Sequence, residues 1–329
     1  MAVVANRSRS AKNLAHGVGA GDEPAPAAGL ARRLWVYQRE RFPVLANALV
    51  VAAIGFSALS FSALLRGSGQ SPQVGSVLVG CSSAFLFFLE MRILDEFKDF
   101  AADTQFRPYR AVPRGVVTLR QLAAVGAAAV AIQVLLALLL DPGLLPLLLL
   151  VWAYLGLMTR EFFVRLWLRS HLVVYMVTHM PILPLIFLYV TACDWLLHGA
   201  FPPAGLVWLL AVTLLSGVVL ELGRKIRSPQ DEEPGVETYS ALWGRWQAVN
   251  VWYGALVAVS LTALGAASQV HLLVSAGVVL TTLLVLTAAV AISFLRSKTP
   301  GAGQRIDKVS SGVVVLIFLC LGTLPLVLR

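Results

Sequence analysis

Asp95, Asp99 and Asp103 stand four residues apart, a spacing that could do chemistry. On a helix each step of four turns a side chain by only about 40° and raises it by about 6 Å, so the three carboxylates share one face. Like charges so placed repel by roughly 0.2–0.5 kcal/mol per pair unless a cation sits among them. Mg2+ suits such a row, because it takes a few carboxylates and fills its other positions with water and phosphate oxygens. Bases surround the same row: Arg92 and Lys98 within it, then Arg107, Arg110 and Arg114 after it. Acids for a metal beside guanidinium forks and an ammonium are what a diphosphate requires. The plainer alternative is a solvated helix laced with ion pairs; the regular spacing beside an apolar stretch favours the metal.

A second acidic stretch runs from Glu221 through Arg224, Lys225, Arg227, Asp231, Glu232, Glu233 and Glu237 to Tyr239. The two stretches hold nine of the 17 Asp and Glu residues, and each ends in the same pattern, Gly115-Val-Val-Thr118 and Gly235-Val-Glu-Thr238. A Thr in that position is a natural N-cap for the helix that follows. The echo also suggests a weak duplication that turns two metal sites towards one cavity.

The elements that position these residues are apolar. Of the 329 residues 58% are hydrophobic and 13% charged, with a mean hydropathy of +0.79; an ordinary soluble enzyme, a disordered chain and a collagen-like chain are disfavoured. Apolar runs at 43–65, 76–94, 116–140, 143–159, 172–192, 205–222, 241–265, 269–295 and 309–328 are each about long enough to span a bilayer. The fold class expected is all-α: a nine-transmembrane-helix bundle (residues 36–329) behind a disordered tail (1–35) that lacks the features of a cleaved signal. If positive residues stay inside, the N-terminus is cytoplasmic and the C-terminus outside, since 24 of the 26 Lys and Arg then fall on one side. The net charge of +9 is thereby a topology signal, with no nucleic-acid partner implied. Cys81, Cys193 and Cys320 form neither a disulfide framework nor a zinc motif.

The segment Arg92-x-x-Asp95-x-x-x-Asp99-x-x-x-Asp103-x-x-x-Arg107-Pro108 resembles the first motif of the UbiA-type intramembrane prenyltransferase superfamily. The likeness extends over about residues 38–329 and places the two acidic stretches after helices two and six. It implies an isoprenoid diphosphate substrate bound through Mg2+ in a cavity open to the cytoplasmic side. Asp99 and Asp103 match family aspartates; Asp95 stands where many members have Asn. The second motif departs from the pattern: Gly235-x-x-Thr238 and Asp231 are kept, but Arg227 stands four before Asp231 and Lys225 four after Glu221. One metal is then weakened or absent, with cations touching the diphosphate directly. Arg160 is a looser match to the family's basic residue between helices four and five.

The resemblance implies ionisation of an allylic diphosphate and capture of the cation by an electron-rich, most often aromatic, acceptor. The residues expected to carry catalysis are Asp99, Asp103 and Lys225; the metal set is Asp95, Asp99, Asp103, Glu221 and Asp231. The diphosphate set is Arg92, Lys98, Arg107, Arg110, Arg160, Arg224, Lys225 and Arg227. Tyr175 and His179 would line the cavity, with Tyr154, Trp243, Trp246 and Tyr253 as further aromatics; His179 is read as the mid-membrane ionisable side chain. The rival readings are a terpene cyclase of the same superfamily and, from another class, a divalent-cation transporter. Transporters place coupling acids near the bilayer midplane, whereas these acids lie at its edge. The lipid bilayer of a prokaryotic plasma membrane is the expected setting; the acceptor stays open.

Overall fold

The computed structural model describes residues 29–67, 71–199, 201–297 and 299–328. These residues are helical throughout, with short 3₁₀ and π turns and no strand among them. Residues 1–28 of the expected tail lie outside the described residues. Its boundary near residue 35 falls inside a first helix, α1 (Leu30–Arg41), which Arg33, Arg41 and a buried Tyr37 fasten to the bundle.

The membrane-crossing elements follow as α2 (Val44–Leu65), α3 (Val74–Phe106), α4 (Leu119–Leu140) and α5 (Leu145–Thr159). After the short α6 (Arg165–Arg169), the next crossing is broken into α7 (Leu172–His179) and α8 (Ile182–Trp195). The break falls at Met180–Pro181, where proline removes a backbone donor. Next come α9 (Leu206–Arg224), the short α10 (Tyr239–Trp243), α11 (Arg245–Gln269), α12 (Leu273–Arg296) and α13 (Ala302–Phe318). A π turn at Leu319–Thr323 joins α13 to α14 (Leu324–Val327). Among the described residues nine helical segments are long and apolar enough to cross a membrane, as the hydropathy runs suggest.

In the bundle α3 packs on α2, α4 and α8, while α9 packs on α8, α11 and α13. The two helices that lead into the acidic connectors thus share α8 as a neighbour. The echoed motifs have one local structure. Gly115 and Gly235 sit at φ 78° and 74°, a left-handed conformation open to glycine and strained for other residues. Thr118 then accepts from the Gln121 N–H in a capping box, and Thr238 from the Ala241 N–H. Far from the acidic connectors, Asp194 takes a bidentate pair of hydrogen bonds from Arg66 and another from Ser62.

Candidate active site between the acidic connectors

Helix α3 does not stop where the apolar run stops. It continues for three turns past Leu94, and this continuation carries the aspartate row. Within the row the three acids differ. Asp103 is buried between Arg107 (2.9 Å) and Arg110 (2.6 Å). Asp95 and Asp99 are 43% and 36% exposed, with single cationic partners at 3.3 Å (Lys98) and 3.8 Å (Arg169). Lys98 is itself mostly covered and donates to the Tyr175 hydroxyl at 2.6 Å.

The second connector arrives at the same ring. Lys225 Nζ lies 5.7 Å from the Tyr175 ring centroid and Lys98 Nζ 5.3 Å from it, so one aromatic ring gathers an ammonium from each connector. Both distances are within reach of a cation–π attraction. Glu221 holds Lys225 at 2.9 Å and also pairs with Arg224. Elsewhere the connectors touch directly. Tyr109 donates to Glu233 at 3.2 Å, and the Phe106 ring lies so close over Gly235 that a Cβ there would come to 2.8 Å of it. Burial, with the Glu233 carboxylate beside it, pushes the Tyr109 phenol above its ordinary range. Tyr239, next to Lys225, is likewise raised, by burial first and then by Glu221. Both phenols therefore stay neutral and able to donate near neutral pH.

Beside Asp95 and Lys98 a small cleft of about 30 Å³ opens between α3 and α5. Its depths are apolar, lined by Met91, Leu94, Leu155 and Met158, while Asp95, Lys98 and Thr159 line its polar part. Below the two lysines His179 stacks on Tyr175 at 3.9 Å. Its Nδ1 lies 2.8 Å from the Tyr175 carbonyl, so Nδ1 carries the proton, and the buried Nε2 has no hydrogen-bond partner.

The fourth connector closes a further side. Glu161, Phe162 and Phe163 hold φ of 48°, 52° and 63°. Each such non-glycine residue costs roughly 1–3 kcal/mol, so the surroundings must enforce the turn. The buried Glu161 carboxylate takes Arg165 and Arg169, each at 3.2 Å, and Phe162 packs edge-on against Tyr154 and His179. Arg169 extends from there to Asp99, and Arg165 donates to the Lys98 carbonyl at 3.1 Å.

Asp95, Asp99, Lys98, Tyr175, His179, Glu221, Arg224 and Lys225 therefore meet, with Asp103, Arg107 and Arg110 at their flank. Other candidates from the sequence stand apart. Arg92 turns to Glu96, which also holds Arg41 of α1 at 2.7 Å. Asp231 accepts from the Gly301 N–H at 2.7 Å, tying its connector to the start of α13, and Arg227 reaches Glu233 at 3.6 Å. Arg160 is exposed at the end of α5. Trp246 is 68% exposed, and Tyr253 donates to a carbonyl of α12. His179 is not alone as an ionisable group within the spans. Glu90 is buried in α3 with the Trp152 indole donating at 3.2 Å, and Asp194 is buried in α8. Arg169 and Glu161 were missed because no spacing rule links them to the aspartate row; the left-handed turn that brings them there carries no glycine to signal it.

Among the described residues no group of three or more His, Cys, Asp and Glu could by itself enclose a metal ion. Asp95 and Asp99, half-exposed on successive turns, do suit one Mg2+ whose other ligands are phosphate oxygens and water. Glu221 and Asp231 do not supply a matching pair, since the first is covered by two cations and the second faces away.

An all-helical, multi-pass integral membrane protein with a site of this composition at one end of its bundle is the class these features define. The model of the UbiA prenyltransferase family matches residues 53–312, and the chain belongs to that family; it is thereby a membrane protein of the prenyl-transferring type. A structure of a UbiA homologue from Aeropyrum pernix K1 is similar over 83% of this chain and 95% of that one, at 17% identity and a TM-score of 0.60. A UbiA homologue from Archaeoglobus fulgidus, described as bound to DMAPP and Mg2+, is similar over 89% and 99%, at 11% identity and a TM-score of 0.57. A digeranylgeranylglyceryl phosphate synthase structure is similar over 88% and 98%, at 15% identity and a TM-score of 0.56. At these identities the likeness is one of fold. No curated protein sequence matches the chain.

Proposed function

We propose that the chain is a Mg2+-dependent prenyltransferase that ionises an isoprenoid diphosphate and passes the prenyl group to an electron-rich acceptor. The observation that carries this reading is the meeting of Lys98 and Lys225, from separate connectors, on Tyr175 beside Asp95 and Asp99. The lining of the small cleft supports it, because the polar Asp95, Lys98 and Thr159 adjoin the apolar Met91, Leu94, Leu155 and Met158, groups suited to a charged head and the start of a hydrocarbon tail. A homologue of the same fold from Archaeoglobus fulgidus is described as bound to DMAPP and Mg2+, ligands of the class proposed for this chain.

Asp95 and Asp99 would hold the metal, which when bound neutralises charge on the diphosphate. Asp103 anchors Arg107 and Arg110 at the flank of the site. Lys98, Lys225 and Arg224 face the anion from the other side and stabilise the charge that develops as the carbon–oxygen bond breaks and its electron pair leaves with the diphosphate. Tyr175 accepts from Lys98 and keeps its own O–H proton for an anionic oxygen. The apolar floor excludes water from the allylic cation, so that the acceptor captures it before hydrolysis does. The basic connectors support an orientation with this site on the cytoplasmic side, and a plasma membrane is the setting we infer for it.

The test is to incubate the purified full-length protein with geranyl, farnesyl and geranylgeranyl diphosphates, with and without Mg2+, and measure diphosphate release. Metal-dependent release that disappears in Asp99→Ala is the expected result. Release that persists in both Asp99→Ala and Asp103→Ala contradicts the role of the aspartate row. Terpene hydrocarbons or alcohols formed without an acceptor would reassign the protein as a cyclase of the same superfamily.

A further inference from the structure

A buried acid beside a site for an anion calls for a reason, because its charge opposes the ligand. Glu161 is such an acid. It is 1% exposed, it lies in a turn of three successive left-handed non-glycine residues, and it faces the side of the site where Asp99 stands. Its two partners come from α6: Arg165 Nε and Arg169 Nε, each 3.2 Å from a carboxylate oxygen. Arg169 then continues, by a terminal guanidinium nitrogen, to within 3.8 Å of Asp99.

We propose that Glu161 is a positioning residue that aims Arg169 at the diphosphate. The proposal rests on the prenyl diphosphate reading above and gives the site a cation from the fourth connector that the sequence did not single out. The geometry explains the arrangement. Arg169 is 38% exposed, and a long side chain so placed would otherwise sample many rotamers. Glu161 engages Nε and thereby fixes the plane of the guanidinium. One terminal nitrogen is left 3.8 Å from Asp99, and neither terminal nitrogen is the one that Glu161 engages, so a phosphate could take both in a fork that a lysine cannot offer. Arg165 ties the same turn to the Lys98 carbonyl at 3.1 Å, so the strap and the aspartate row are held in one register. Phe162, wedged edge-on between Tyr154 (5.8 Å) and His179 (5.7 Å), keeps the turn left-handed from below.

A count of charge makes the opposite prediction. Removing an acid from an anion site should tighten binding if Glu161 only tempers the local field; it should weaken binding if Glu161 aims Arg169. The experiment measures the affinity of the full-length protein for inorganic pyrophosphate in the presence of Mg2+, for wild type, Glu161→Gln, Arg169→Gln, the double variant and Arg120→Gln. The dissociation constant is expected to rise about tenfold in each of the two site variants, the size of one lost charge-assisted hydrogen bond. The double variant should be no worse than either single one, since both remove the same contact. Arg120→Gln, at an exposed arginine outside the site, should match wild type. Unchanged or tighter binding in Glu161→Gln, or losses that multiply in the double variant, overturns the proposal. Should Glu161→Gln fail to fold in detergent, Arg169→Lys keeps the charge and loses the fork; affinity equal to wild type there overturns the proposal equally. A wild-type protein that binds neither pyrophosphate nor a prenyl diphosphate with Mg2+ sinks the functional reading itself, whereas wild-type binding indifferent to these variants sinks only the role of Glu161.

Discussion

Tyr175→Phe tests the convergence of the two connectors with the least disturbance, because it removes one oxygen and keeps the ring. That oxygen accepts from Lys98 at 2.6 Å, and Lys98 retains Asp95 at 3.3 Å after the change. A hydrogen bond from a charged donor contributes roughly 1.5–3 kcal/mol. With Asp95 still in place the lower end applies, and kcat/KM for a prenyl diphosphate is expected to fall about tenfold. Tyr175→Leu removes the ring as well, and with it two ammonium contacts at 5.3 and 5.7 Å. Each is worth roughly 0.5–1 kcal/mol, so a further loss of about five- to thirtyfold should follow. The assay is steady-state diphosphate release at fixed Mg2+, with thermal unfolding in detergent alongside to show that the variants fold. If Tyr175→Phe stays within twofold of wild type, or Tyr175→Leu is no worse than Tyr175→Phe, the ring does not organise the two lysines and the argument fails.

Asp99→Asn is expected to abolish the Mg2+ dependence of release without moving the unfolding midpoint, since Asp99 is half-exposed. Asp103→Asn leaves two half-buried guanidinium groups without their counter-charge and should lower the midpoint in detergent, by less than the roughly 3–5 kcal/mol of a fully buried broken pair. Gly235→Ala meets both a left-handed backbone and the Phe106 ring, so a loss of about 2–4 kcal/mol in chemical denaturation is expected. Arg92→Ala should reduce thermal stability by freeing Glu96 from one partner, while pyrophosphate affinity stays at its wild-type value.

The fold was legible because a bilayer imposes a simple rule: a span must be apolar over its length and closed in its hydrogen bonds, and nine runs obeyed it. The aspartate row was legible because a period of four survives as long as the helix does, and α3 carries its helix past the membrane edge. What escaped were contacts set by tertiary packing. Nothing in the spacing of Arg92 says whether it turns towards the diphosphate or towards α1; a buried Glu96 with Arg41 decided it. Asp231 stood at a plausible motif distance from Gly235, yet the start of α13 supplies a backbone donor that holds it. Glu90, buried in α3, was passed over because one acid barely dents the hydropathy of a long apolar run.

The connector end solves an electrostatic problem in a repeated way. Glu96, Asp103, Glu161 and Glu221 are all buried, and each is held by two bases: Arg41 and Arg92, Arg107 and Arg110, Arg165 and Arg169, Arg224 and Lys225. A buried carboxylate needs a partner to offset its desolvation, and a second base gives each cluster an excess positive charge that a single pair would lack. Asp95 and Asp99 are the members of the aspartate row left half-exposed, with one distant partner each. Around them stand four clusters that are each positive by one charge. Such a field repels a second divalent cation and attracts an anion of several charges, which is why the proposed reading assigns one Mg2+ to Asp95 and Asp99 and leaves the far side of the diphosphate to Arg224 and Lys225. Swapping one of the buried acids for its amide makes the field more positive while freeing two bases from their aim, so the sign of the change in pyrophosphate affinity tells whether placement or net charge governs this site.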